Sequence, residues 1–303
     1  MKKLSNSAKM RVKLLGTLLC IGIAVQACKS DAKTPQPEPK PVTLQVKVFT
    51  AAPSGFQVNS TLIMGDKDAV LVDAQFTTTD ASNLVKTIQE SKKNLTTVYI
   101  THSHLDHYFG LVEIKKAFPN AKIVALPATV TDIQKTWKDR LAYWKTVLGE
   151  TITSNPVFPE PMEGSTLTLE GQSIQIVGGT QGDIELNSYV WIPSIKAAIC
   201  GDIDYNGVYP YTIETTPAQR KAWANSITAI QALNPAIVVA GHKNPSLKDD
   251  AASLDFTKAY LAHYDSVLPS ATSSDDFQNK VKAKYPDLDL PIILKLAADA
   301  LFP

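Results

Sequence analysis

The sequence has 303 residues, 44% of them hydrophobic and 19% charged, with a formal charge of +1. A chain of this length and apolar content buries a sizeable core, and its near-neutral balance without a basic block argues against a nucleic-acid partner. Three cysteines (Cys20, Cys28 and Cys200) are too few for a disulfide-stapled scaffold.

The first 27 residues read as a targeting segment. Lys2, Lys3, Lys9, Arg11 and Lys13 form a basic start, residues 14–25 an apolar stretch, and Ala27 precedes Cys28. The apolar run, about 12 residues, is shorter than the ~20 that span a bilayer. The pattern is that of a bacterial lipoprotein signal, with Cys28 lipidated after cleavage. Residues 28–41, with Pro35, Pro37, Pro39 and Pro41 alternating with polar residues, read as an extended tether. The expectation is an exported protein, lipid-anchored at the cell envelope (periplasm or outer membrane), with Cys28 its only membrane attachment. Removing the signal takes five positive charges and leaves −4. Cys200 is then the sole free thiol, so stability rests on the core.

Residues 42–303 show no second linker or low-complexity block and are read as one domain. Strands are expected at 42–49, 60–64 and 69–72, the last two joined by a turn at 65–68 and ending at Asp73. A helix over 80–93 leads to a β-branched strand over 97–100. The next ten residues, Thr101 to Gly110, hold three of the five histidines: His102, His104 and His107, with Asp106 among them. In an extended segment His102 and His104 project to one side, and Asp106 and His107 follow as the chain turns. Imidazole and carboxylate together suit a borderline divalent ion, and two such pairs suit a two-metal centre.

This His-x-His-x-Asp-His run resembles the metallo-β-lactamase superfamily, and the resemblance can be followed from about Asn59 to Lys243. It implies an α+β fold, a four-layer αββα sandwich in a single domain, and a metal-dependent hydrolase. Asp73 falls where the superfamily has a strand-end aspartate that orders the metal loop. Asp202, after the 196–200 strand, falls at its bridging aspartate. His242, after the 236–239 strand, falls at its last histidine. One position departs: where relatives carry Gly-His-Thr-Pro-Gly-His, this chain has Gly178-Gly179-Thr180-Gln181-Gly182-Asp183. A carboxylate also binds zinc, iron or manganese, so Asp183 is taken as the third ligand of the first ion, with Glu185 as the weaker substitute. The expected ligands are thus His102, His104, Asp183 and Asp202 for one ion and Asp106, His107, His242 and the shared Asp202 for the other. Two divalent ions are expected, zinc ahead of iron or manganese.

The remaining elements follow. A strand is expected at 123–126 and a long helix at 127–148, whose Trp137, Leu141, Tyr143, Trp144 and Leu148 read as core, while the resemblance implies that one of Trp137 and Trp144 faces the substrate cleft. A proline-broken connector covers 156–161, strands 165–169, 173–177, 188–192 and 196–200 come next, and helices close the chain over 216–233, 247–268, 275–285 and 288–301. His263 is assigned to packing.

The resemblance implies that two ions share a water whose pKa falls from 15.7 towards roughly 7, giving a bridging hydroxide that attacks a carbonyl. Asp106 and Tyr205 are the expected catalytic groups, Tyr205 as hydrogen-bond donor to the carbonyl. Tyr108, Phe109, Tyr209 and Tyr211 are expected to make an aromatic, weakly charged pocket, so an ester or lactone is the first choice of small-molecule substrate. A glyoxalase II-like thioesterase, for which Lys243 and Lys248 offer only a thin basic cluster, and a β-lactamase are alternatives. A non-catalytic binding lipoprotein on the same fold is the alternative of another class.

Overall fold

The computed structural model describes residues 42–303; the signal and tether expected over 1–41 lie outside the described residues. Two sheets build the domain. The first holds β1 (Gln45–Thr50), β2 (Asn59–Met64), β3 (Asp68–Val72), β4 (Asn94–Ile100), β5 (Lys122–Ala125) and β6 (Glu160–Pro161), in that spatial order. β1 to β3 pair antiparallel and β3 to β6 parallel. The second holds β7 (Thr166–Leu169), β8 (Gln172–Thr180), β9 (Asn187–Ile192), β10 (Ala197–Ile199) and, beyond the two-residue β11 (Tyr205–Asn206), β12 (Ile237–Val239), in the order β12-β10-β9-β8-β7. A two-residue strand, β13 (His242–Lys243), pairs with β11.

Strand periodicity explains the stacking. In β3, Val70 and Val72 enter one buried cluster while Ala69 and Leu71 enter another; in β10, Ala197 and Ile199 divide from Ala198 in the same way. The first cluster draws only on strands of both sheets and the segments flanking them, so it is the core between the sheets. The second mixes the opposite strand faces with helix residues such as Leu84, Ile88, Trp223 and Ile227. Each sheet is therefore apolar on both faces, which an αββα sandwich demands. Burying a valine in this way is worth about 1.5–3 kcal/mol.

Parallel neighbours need crossovers, and helices supply them. α1 (Thr78–Glu90) joins β3 to β4, α2 (Leu111–Ala117) joins β4 to β5, and α3 (Pro127–Leu148) leads from β5 towards β6. α4 (Pro217–Ala232) lies between β10 and β12, and α5 (Ala252–Val267), α6 (Ser274–Lys284) and α7 (Pro291–Leu301) follow. α4 begins where Thr216-Pro217 predicts, with a capping box between Thr216 and Gln219 and proline in the first turn. The β7–β8 turn has Glu170 and Gly171 both at positive φ, and the Glu170 carboxylate accepts from the backbone N–H groups of Asp66, Lys67 and Asp68. This ties the hairpins of the two sheets together.

Some boundaries differ from expectation. The 156–161 connector ends in β6, which pairs with β5. α5 begins at Ala252 rather than 247, and α7 at Pro291 rather than 288. Among the described residues no helix is long and apolar enough to cross a membrane.

Candidate metal centre

Five strand ends deliver the site to one edge of the sandwich. β3 ends at Val72 before Asp73, β4 at Ile100 before the 101–107 loop, β10 at Ile199 before Asp202, and β12 at Val239 before His242; Asp183 comes from the β8–β9 connection. Asp73 sits at φ 60°, a left-handed conformation that aspartate tolerates better than most residues. Its carboxylate accepts from Thr101 N (2.9 Å), Thr101 Oγ1 (2.9 Å) and His107 Nδ1 (2.8 Å), and so fixes the start and the end of the histidine loop. A side chain at Gly241 would place its Cβ 2.0 Å from Asp202 Oδ1 and 2.6 Å from Gly201 C; only glycine lets the two loops meet.

The outer nitrogen of every imidazole is engaged, and this identifies the inner one. His107 Nδ1 donates to Asp73, and His242 Nδ1 to the Phe56 carbonyl at 2.6 Å. Thr101 Oγ1 gives its only proton to Asp73, so His102 Nδ1, 3.0 Å from that oxygen, donates to it. The Nε2 atoms of these three residues point inward. His104 is reversed: Nε2 lies 3.2 Å from Glu214 Oε1 and Nδ1 2.8 Å from Asp183 Oδ2.

The inner atoms form two groups, His102, His104, Asp183 and Asp202 on one side and Asp106, His107 and His242 on the other, each with ligand atoms within 4.8 Å of one another. Asp202 lies between the groups: its carboxylate is 3.8 Å from His102 Nε2, 3.1 Å from His107 Nε2 and 3.2 Å from His242 Nε2. Asp106 Oδ2 is 3.2 Å from His242 Nε2 and 3.7 Å from His107 Nε2.

Charge is concentrated here. Burial would lower the pKa of His107, but Asp202, Asp73 and Asp106 raise it well above the usual imidazole value. His242, also penalised by burial, is lifted by Asp202 and Asp106 to about 10. Burial likewise works against His104, which Asp183 and Glu214 raise to about 9. His102 is lowered by burial and by His107 beside it. Burial raises Asp183 to about 6 despite His104, whereas Asp202, equally buried, is held well below the usual carboxylate range by His242, His107 and His102.

These residues fit metal ions better than they fit one another. His102 Nε2, His107 Nε2 and Asp202 Oδ1 are buried with no hydrogen-bond partner, and His107 Nε2 and Asp202 Oδ1 lie 3.1 Å apart without the alignment of a hydrogen bond. An unsatisfied buried polar atom costs about 1–3 kcal/mol. Lone pairs aimed at common points, from imidazole and carboxylate, are the donor set of a divalent centre.

The family model described as the Metallo-beta-lactamase superfamily matches residues 53–242. The chain belongs to this superfamily. Solved structures agree on the fold. A metallo-beta-lactamase family protein from Thermus thermophilus superimposes with a TM-score of 0.60 at 19% identity, covering 83% of this chain and 91% of that one. A metallo-beta-lactamase from Pontibacter korlensis gives 0.52 at 18%, covering 73% and 98%. The sec-alkyl sulfatase PisA1 gives 0.59 at 16%, covering 85% and 49%. No curated protein matches the chain. Superfamily members are mostly hydrolases, and the cluster is compatible with divalent metal; lactamases and a sulfatase on one fold leave the bond to be argued from the site.

Beside the seven expected ligands, the structure places Tyr205 with its ring stacked on His242 (5.4 Å between centroids, 4° between planes) and its hydroxyl donating to Asp202 Oδ2 at 2.7 Å. Asp183 is held by Asn187, whose Nδ2 donates to Oδ1 at 2.9 Å. Glu185 is exposed and outside the cluster. His263 meets the Lys280 carbonyl and the Tyr285 ring.

A cavity opens on the cluster, lined by Phe56, Trp144, Tyr209, Tyr211, Leu290 and Ile293 together with Arg140. Tyr108 and Phe109, expected to flank the pocket, are instead buried in the core, because the chain turns into α2 directly after them. Lys243 is buried and paired with Asp249 at 2.6 Å, and neither it nor Lys248 lines the cavity. The sequence reading missed Arg140 and Glu214, which form a two-pronged pair (2.8 Å at each prong) beside His104. They stand 74 residues apart, and no local pattern signals the pair.

Proposed function

We propose that the chain is a metal-dependent hydrolase acting on an ester or lactone. The observation that carries this reading is the convergence of His102, His104, Asp183, Asp202, Asp106, His107 and His242 with three of their atoms buried and unpartnered. Two divalent ions, zinc first, would supply a nucleophile from water at neutral pH and polarise the carbonyl. His102, His104 and Asp183 would hold one ion, Asp106, His107 and His242 the other, and Asp202 would touch both. Asp73 keeps the histidine loop in register. Tyr205 stays protonated, because burial and then Asp183 and Asp202 raise its pKa well above the usual value. Tyr205 lines the cavity, and its hydroxyl would serve as the donor to the substrate carbonyl by turning there the one proton it gives to Asp202.

The cavity favours an uncharged substrate. Its lining is mainly aromatic and aliphatic, and its one lining Arg or Lys among the described residues, Arg140, is already neutralised by Glu214. A glutathione thioester or a β-lactam brings a carboxylate that this surface does not meet, so those readings fit less well. The non-catalytic reading is disfavoured by the completeness of the ligand set. We also read residues 1–27 as a lipoprotein signal and 28–41 as a tether, which would hold the enzyme at the bacterial envelope. A screen of esters, lactones, thioesters and β-lactams on zinc-loaded protein tests the proposal: turnover confined to uncharged esters or lactones is expected, and preferred turnover of β-lactams or glutathione thioesters would refute the substrate class.

A further inference from the structure

The four imidazoles are not held alike. Asp73, Thr101 and the Phe56 carbonyl, which hold His107, His102 and His242, lie within the packed body of the fold. The partner of His104 is Glu214, on the segment between β11 and α4, with its side chain 35% exposed. An exposed glutamate is a poor anchor by itself, since holding one long side chain in one rotamer costs conformational entropy. Here the cost is met by a second contact: Arg140, from α3, grips both carboxylate oxygens at 2.8 Å, in the planar fork geometry that suits guanidinium and carboxylate. Tyr211 adds its hydroxyl at 3.4 Å from Glu214 Oε1 and its ring edge-on to His104 at 5.3 Å.

We infer that Glu214, clamped by Arg140, is the positioning residue that sets the orientation and tautomer of His104, and so governs how tightly the His102, His104, Asp183 and Asp202 site holds its ion. The inference rests on the reading of that group as a metal site. With Nε2–H donated to Glu214, Nδ1 is left to face Asp183 and the ion; a carboxylate on the far nitrogen also makes the imidazole a stronger donor. The chain Arg140–Glu214–His104 thus couples α3, which walls the cavity, to one ion site and not to the other. An ordinary surface ion pair would contribute about 0–1 kcal/mol to stability and would leave metal binding alone.

The test is a zinc titration of metal-free protein against a chromophoric chelator. Wild type should take two ions. Glu214→Ala should keep one as tightly as wild type and bind the other about 10–100-fold more weakly. Arg140→Ala should weaken the same ion, and the double variant should be no weaker than Glu214→Ala, because Arg140 acts through Glu214. Glu214→Gln, which still offers an acceptor to Nε2–H, should recover most of the loss. Two ions held by Glu214→Ala as tightly as by wild type would overturn the inference, and additive losses in the double variant would overturn the clamp. A wild type that binds fewer than two ions would instead bring down the metal-centre reading itself.

Discussion

His104 Nδ1 lies 2.8 Å from Asp183 Oδ2, so the carboxylate standing where the superfamily usually has a histidine meets the second histidine of the His-x-His pair. Asp183 is fully buried and its other oxygen accepts from Asn187. Compared with imidazole it would add a negative charge beside an ion held by His102 and His104, which would make that ion a weaker Lewis acid.

If Asp183 is a ligand, Asp183→Ala removes about one equivalent of metal and most activity, while Asp183→His retains or raises the metal content. Elemental analysis of the purified variants reads this directly. An alanine variant with its full metal complement and undiminished turnover would take Asp183 out of the site.

Metal affinity should rise with pH. In the metal-free protein His104 titrates at about 9 and His242 at about 10, so at pH 7 each carries a proton that an ion must displace. Both pKa values are raised, so the proton competes fully at pH 6 and is lost only above about pH 9. Over that window affinity should increase by about tenfold per pH unit for each proton displaced. Chelator competition at pH 6, 7 and 8 measures the slope, and a flat profile would mean that these imidazoles are not ligands.

Tyr205→Phe separates chemistry from metal binding. The hydroxyl donates to Asp202, and Tyr205 lines the cavity. As a donor to the developing oxyanion it should be worth about 10²-fold in kcat, with two metal equivalents retained. Unaltered kcat would reduce Tyr205 to a packing residue that steadies Asp202.

Gly241→Ala tests the junction of the Asp202 and His242 loops. The added methyl meets Asp202 Oδ1 and the Gly201 backbone at distances no real Cβ tolerates. The loops must part, at a cost of about 1–3 kcal/mol, and the midpoint of thermal unfolding should fall while metal content drops. A variant with wild-type midpoint and metal content would show that this close approach is not needed.

Much of the centre was legible because a loop of six residues carries four of the candidate ligands. Asp202 and His242 were also legible, as residues just past apolar strands in the order the superfamily uses. The cavity was legible in part: Tyr209, Tyr211 and Trp144, one of the two tryptophans expected at the cleft, line it. Phe56, from a turn before β2, and Leu290 and Ile293, from the last connection and helix, were not; they share no periodicity, and only the tertiary fold joins them. Tyr108 and Phe109 misled for the converse reason, since adjacency to a ligand along the chain says nothing of which side of the turn a ring packs. β11 and β13, two residues each, are too short for strand alternation to register.

Metal stoichiometry is the most direct measure of the two-metal centre. Elemental analysis of the domain from about Lys29, purified without chelator and then supplied with zinc and desalted, should give close to two equivalents per chain. One equivalent or none, in protein whose unfolding remains cooperative, would contradict the two-metal centre and favour a binding protein on this fold.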